Sequence, residues 1–253
     1  GRRQEPVVSS AAPPAPRATL LCLPPAGTGR LAFADWPERI GDYAVEPVLY
    51  PGRDSRVSEP LATSVADLVG DVLRTHGAAI AGGRFALLGR SVGAALAMHV
   101  VDALIREELP LPRHVVLVAA RPPQRPDPES PLFRLSDRRL RERIADWGGM
   151  SADELADDEL MSWTLRLVRA DLAVAETALS RAGTIPVPLT VVGAKDDRSV
   201  PVDVLSEWES ATTAQFAWHV LPGGHFPDAV QHDLLVNLVA DTLRESESKV
   251  MDG

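Results

Sequence analysis

Cysteine is nearly absent from this chain: Cys22 is the single one among 253 residues. No disulfide can form within the chain, and a reducing, cytoplasmic setting is the expectation. Cys22 sits in the apolar run Thr19-Leu20-Leu21-Cys22-Leu23, where a buried small hydrophobe is a better reading than a reactive thiol. Positive charge is in deficit as well. The formal net charge is -9, so no basic stripe is at hand to neutralise phosphates, and nucleic acid is not an expected partner. Long hydrophobic runs are missing too. None approaches the roughly 18 residues of a membrane span, so no membrane association is expected. No charged-then-apolar leader is visible, so no secretory signal is expected. Internal repeats are lacking.

What is present is a chain 45% hydrophobic, enough to fill one large α/β core. Residues 1–17 carry Pro6, Pro13, Pro14 and Pro16 without periodicity and read as a disordered lead-in or linker. The folded part is expected over 18–245, with a frayed polar tail over 246–253.

The central stretch is Gly89-Arg90-Ser91-Val92-Gly93. It follows the apolar run Phe85-Ala86-Leu87-Leu88 and precedes apolar positions at helical spacing from Val92 to Leu104. Strand, tight turn and helix form the context in which G-x-S-x-G presents an exposed serine at a sheet edge. The alternative is a Gly-rich turn with a capping serine.

Around it, strands and helices alternate. Strands are expected at Ala18 to Leu23, Ala44 to Tyr50 with Pro47 at an edge or bulge, His114 to Ala119, Val187 to Val192 and Phe216 to Leu221. Helices are expected around Phe33, Trp36 and Ile40, after a capping box at Ser64 and Asp67, and at Leu234 to Leu243. This alternation means a mainly parallel sheet covered on both faces. Residues 130–182 hold no strand-like run and read as a helical insertion over the mouth of the sheet, interrupted at Gly148-Gly149. An ordinary connecting pair of helices is the alternative.

A serine hydroxyl needs a base to take its proton and a carboxylate to orient that base. The chain supplies both past strand ends, in the order Ser, Asp, His. His225 is the candidate base, freed by Gly223 and Gly224 to swing toward Ser91. His99 falls on an apolar helix face, His76 ends a helix, and His114 and His219 lie in or beside strands; His232 is the runner-up. For the acid, Asp196 is favoured because it lies three residues past Gly193, taken as the strand end. Asp197, three residues before Val200-Pro201, is the second choice. The oxyanion donors are expected from the N–H groups of Val92 and Ala26, since Pro24 and Pro25 have none to give. This chemistry calls for no metal and no cofactor.

With these residues in place, the chain resembles the type II thioesterases of polyketide and non-ribosomal peptide biosynthesis, from about residue 19 to residue 244. The resemblance is carried by Leu23-Pro24-Pro25-Ala26-Gly27, Tyr50-Pro51-Gly52-Arg53 with Glu59-Pro60, and Gly89 to Gly93. It is carried further by Gly148-Gly149-Met150, Arg169-Ala170-Asp171, Trp208 and Gly223-Gly224-His225-Phe226. It implies an α/β-hydrolase fold with a mobile helical lid and a Ser-His-Asp triad. It also implies hydrolysis of acyl groups carried on the phosphopantetheine arm of an acyl or peptidyl carrier protein, by a monomer. The family's spacing of acid to glycine points to Asp196. Three positions depart from the family pattern: Arg90 where His is usual, Pro25 where His or Phe is frequent, and Pro227-Asp228 where the family is apolar. The cluster Arg134, Arg138, Arg139, Arg141 and Arg143 offers two readings: a dock for an acidic carrier protein, or a solvated helix face paired with Asp137 and Glu142.

Overall fold

The computed structural model describes residues 18–178 and 183–251, with side chains omitted at 178 and 249–251. Residues 1–17, 179–182, 252 and 253 lie outside the described set, as do the expected linker over 1–17 and the last four residues of the insertion expected over 130–182.

Among the described residues a seven-stranded sheet forms the centre, in the order β2-β3-β1-β4-β5-β6-β7. The strands are β1 (Ala18–Leu23), β2 (Arg39–Ile40), β3 (Tyr43–Pro47), β4 (Phe85–Arg90), β5 (Val115–Val118), β6 (Leu189–Ala194) and β7 (Phe216–Leu221). Every neighbouring pair is parallel except β2 with β3, which is antiparallel. The expected mainly parallel α/β sheet is therefore the observed one.

Alternation along the central strands divides the core. Leu21, Leu23, Leu87 and Leu117 join one buried cluster with α1 (Val65–Thr75), Ile80 of α2 (Gly77–Ala81) and α3 (Val92–Arg106). Leu20, Cys22, Leu88 and Val116 face the other side, against Leu235, Val239 and Leu243 of α7 (Ala229–Met251). Side chains two apart share a sheet face, which is why one strand feeds both layers. Cys22 is fully buried, and burial pushes its thiol pKa up, with Glu46 adding to the effect. It packs as the small hydrophobe its run suggests.

Three local expectations are corrected. The stretch from Phe33 to Ile40 is not a helix but a 3-10 turn, Arg30–Phe33, followed by β2. Pro37 explains it: proline steers the preceding Trp36 away from the helical region. The capping box at Ser64 is half made, since the Ser64 hydroxyl accepts from the Asp67 N–H, but Asp67 Oδ2 accepts from Thr63. The tail expected to fray continues as α7 to Met251, where Glu247 accepts from Tyr43 (2.6 Å) and Arg113 (2.5 Å).

Between β5 and β6 the chain builds a helical cap from α4 (Asp137–Trp147), α5 (Ala152–Ala156) and α6 (Asp158–Ala178). Its apolar residues Leu140, Ile144, Met161, Leu165, Val168 and Leu172 form a third cluster with Val92 and Ala95. The cap thus packs on the first turn of α3, directly beside Ser91.

The end of strand β1 and the start of helix α3 approach so closely that a Cβ on Gly93 would lie 2.1 Å from the Leu23 carbonyl oxygen. Backbone cannot yield as a side chain does. Gly93→Ala is expected to cost about 1–3 kcal/mol, the usual range for forced overpacking. At this chain length that is a fall of roughly 2–10 °C in Tm, read by thermal denaturation.

Candidate active site

Ser91 stands between β4 and α3 with φ 53° and ψ -115°, a conformation that L residues other than glycine rarely adopt. Its N–H donates to the Val118 carbonyl (2.8 Å) and its carbonyl accepts from Ala94 (2.9 Å), so the turn is held from both sides. The hydroxyl is left facing His225, whose Nε2 lies 3.2 Å from Ser91 Oγ. On the far side of the ring, Nδ1 is 2.8 Å from Asp197 Oδ2.

The acid beside the histidine is therefore Asp197, not Asp196. Strand β6 runs to Ala194, two residues beyond Val192, and its pairing with β7 continues past that point. The Lys195 N–H donates to Leu221 and the Asp196 N–H to Gly223. Asp196 sits at the exposed turn over Lys195-Asp196, and Asp197, whose N–H closes that turn on the Ala194 carbonyl (3.2 Å), is buried. Asp197 Oδ1 accepts from the N–H groups of Ser199 (2.8 Å) and Val200 (3.1 Å). Burial alone would raise its pKa. The hydrogen bond and charge of His225 and the two amides outweigh burial and hold it below the usual carboxylate value. An ionised Asp197 accepts only, which assigns the proton to His225 Nδ1 and leaves the Nε2 lone pair for the serine.

The other histidines sit elsewhere. His76 pairs with Glu46 (2.9 Å), and buried His114 bridges Ser246 and Thr190. His219 is exposed on β7, and His99 is half-buried on α3. The runner-up, His232, packs edge-on against Trp36 with ring centroids 5.8 Å apart.

In the loop after β1, where one oxyanion donor is expected, most N–H groups are accounted for. Pro24 and Pro25 have no N–H. The Gly27 N–H donates to Asp171 Oδ2 (2.8 Å) and the Thr28 N–H to the Pro25 carbonyl (3.4 Å). Among residues 24–28 the Ala26 N–H is the donor left over. Across the site, Val92 opens α3, and its amide is among those that a helix leaves without an intrahelical partner. Behind Ser91 lies a cavity of about 110 Å³ walled by Val92, Ala95, Leu172 and Ala175. A wider groove of about 730 Å³ runs past Gly27, Arg53, Arg90, Trp163 and Phe226.

The Thioesterase domain family matches residues 18–243. The chain belongs to that family. It is thus a hydrolase acting on thioesters. The thioesterase is 30% identical over 235 residues to the thioesterase PikA5 of Streptomyces venezuelae, covering 91% of this chain and 83% of the relative. It is 27% identical over 236 residues to the medium-chain S-acyl fatty acid synthase thioesterase of Rattus norvegicus, covering 90% and 88%. In structure it resembles RedJ, a thioesterase from the prodiginine biosynthetic pathway in Streptomyces coelicolor. That likeness has TM-score 0.81 at 32% identity, over 94% of this chain and 96% of the other. The fold expected from the motifs, that of the α/β-hydrolases with helices inserted between β5 and β6, is the one observed.

Arg90, where the thioesterase departs from the family pattern, lies buried under the histidine loop. Its Nη2 donates to the His225 carbonyl (3.2 Å), and its guanidinium lies 4.6 Å from the centre of the Phe226 ring. Burial lowers its pKa to about 10, although Asp197 pulls the other way. Trp147 of the cap stacks on His225 from the other side, at 5.9 Å. Arg134 lies over the Phe133 ring, and the other four cap arginines are paired: Arg138 and Arg139 with Glu142, Arg141 with Asp158, and Arg143 with Asp127. The paired-face reading describes them, except that Asp137 pairs with Arg169 of α6.

Proposed function

We propose that this thioesterase hydrolyses acyl groups held as thioesters on the phosphopantetheine arm of an acyl or peptidyl carrier protein in polyketide or non-ribosomal peptide synthesis. Its task there is proofreading or product release. The observation that carries the chemistry is the unbroken series Ser91 Oγ, His225 Nε2, His225 Nδ1 and Asp197 Oδ2. The carrier-borne substrate is supported by likeness to a thioesterase of a prodiginine pathway and to PikA5.

In this reading Ser91 attacks the thioester carbonyl as His225 takes its proton. The Ala26 and Val92 amides hold the oxyanion, and the pantetheine thiol leaves with the proton from His225. His225 then deprotonates a water, which attacks the acyl-serine, and hands that proton to Ser91 Oγ as the C–O bond breaks and the free acid leaves. Asp197 keeps the ring oriented and stabilises it when charged. The acyl chain lies in the small cavity and the arm in the wider groove. The protein works as a cytoplasmic monomer, with neither metal nor cofactor of its own.

Turnover of one acyl group presented on a holo-carrier protein, on N-acetylcysteamine and as an ethyl ester tests this. The expected result is free acid in every productive case, with kcat/KM highest on the carrier and lowest on the oxygen ester. Equal rates on ester and thioester would make it a general carboxylesterase. A product lighter by one water, from substrates with an internal hydroxyl, would make it a cyclising enzyme.

A further inference from the structure

Two stretches of the chain that sequence alone leaves without a role meet in one buried contact. Arg53, in the loop after β3, and Asp171, in the middle of α6, are each about 95% buried. They form a two-pronged ion pair, Nη1 to Oδ2 at 2.6 Å and Nη2 to Oδ1 at 2.7 Å. The pair is more than a link between cap and core. Asp171 Oδ2 also accepts the Gly27 N–H at 2.8 Å, and Arg53 Nη1 donates to the Thr28 carbonyl at 3.0 Å. The Pro24 carbonyl accepts from the Tyr50 hydroxyl at 3.3 Å, and the Tyr50 ring packs under the Arg53 guanidinium. One turn before Asp171, Val168 closes over the same loop, where a Cβ on Gly27 would lie 2.3 Å from Val168 Cγ2.

We infer that Asp171 is a positioning residue for the oxyanion donor, so that the oxyanion hole is complete only when helix α6 is seated. The inference rests on the assignment of Ala26 as a donor under the proposed function. Gly27 has φ 73°, and its amide is adjacent to that of Ala26. Anchoring the Gly27 N–H fixes the plane of the Ala26–Gly27 peptide, while the Thr28 hydroxyl, donating to the Pro25 carbonyl at 2.8 Å, holds the neighbouring peptide plane that carries the Ala26 N–H. The anchor comes from the cap rather than from the sheet that carries Ser91. Displacement of α6 therefore removes Asp171 and Val168 together, and the Ala26 N–H loses its aim while Ser91, His225 and Asp197 stay in place. A cap that must close to switch on the oxyanion hole ties hydrolysis to substrate enclosure, because transition-state stabilisation is a matter of preorganised donors.

The test compares Arg53→Met/Asp171→Asn with Arg53→Met/Asp171→Ala. Both lack the ion pair and strand no buried charge, but only the asparagine can still accept from Gly27. Three readouts are taken on each: kcat and KM on an acyl-N-acetylcysteamine thioester, Tm, and the Kd of an alkyl boronic acid, whose serine adduct is a tetrahedral anion. The alanine form is expected to show kcat about 10- to 100-fold lower than the asparagine form, with boronate affinity falling in parallel. KM and Tm should differ little between the two. Equal kcat and equal boronate affinity in the two forms would overturn the inference, as would a kcat loss matched by a Tm loss with boronate affinity unchanged. Failure of the wild-type protein on carrier-bound substrates would defeat the proposed function instead. The boronate comparison would still decide the role of Asp171.

Discussion

Asp197→Asn is expected to lower kcat by about 10⁴-fold, the scale on which a serine hydrolase loses rate when its histidine is turned to the wrong tautomer. Asp196→Asn is expected to leave kcat within about twofold, as for exposed substitutions in general. The two residues are neighbours of identical chemistry, so the contrast isolates position. An asparagine at 197 can still accept from Ser199 and Val200 through its carbonyl oxygen, preserving the turn. What it presents to His225 Nδ1 is then an amide NH2, which requires Nδ1 to accept and puts the ring proton on Nε2, facing Ser91. A base with its lone pair on the wrong side cannot deprotonate the serine. The same carboxylate sets an expectation for pH. Its pKa in the folded protein lies below the ordinary value, so its stabilising contribution is present above the unfolded pKa of about 3.9 and is lost as pH falls through the lower native value. Above about pH 5 Asp197 is ionised throughout, and no limb of the rate profile there belongs to it. Steady-state kinetics of the two variants from pH 5 to 9 check both statements. Equal losses at 196 and 197 would contradict the geometry.

The error at this position shows what local pattern carries and what it does not. Ser91 and His225 could be read from the chain because both need glycine neighbours, and glycine leaves a mark in sequence. The acid leaves no such mark. Its choice depended on where β6 ends, and Val191-Val192-Gly193 looks like a strand running into a turn. In the structure Gly193 and Ala194 still pair with Val220 and Leu221, so the strand ends one residue past Gly193 and the third residue beyond it is Asp197. A one-residue shift in a strand exchanges the buried face for the exposed one. The helix expected at Phe33 to Ile40 failed for a different reason, because apolar spacing was weighed without Pro37. The parallel sheet and its two covered faces came through because continuous apolar runs and long amphipathic helices report burial directly. The Arg53–Asp171 contact could not be read at all. Its members are 118 positions apart, and although both lie in stretches that carry the family resemblance, nothing in the sequence joins them until α6 is folded over the loop.

Ser91→Ala is expected to lower kcat by about 10⁶-fold, because the serine and its base act as a unit. The residual rate is expected to stay above the uncatalysed one, since the Ala26 and Val92 amides still polarise the carbonyl for attack by water. The stability of this variant separates chemistry from architecture. The Ser91 hydroxyl has one partner, His225 Nε2 at 3.2 Å, and its loss is worth about 1 kcal/mol or less. Alanine must still occupy φ 53°. Ser91→Gly abolishes turnover to the same extent but removes the Cβ from that conformation, where a non-glycine residue costs about 1–3 kcal/mol. The glycine variant should therefore melt above the alanine variant, by roughly 2–10 °C for a protein of this length. Two equally inactive proteins ordered in this way would show that the turn stores strain in order to expose the hydroxyl. If instead the glycine variant melted below the alanine variant, the turn would not be strained, and the exposure of Ser91 would need another cause.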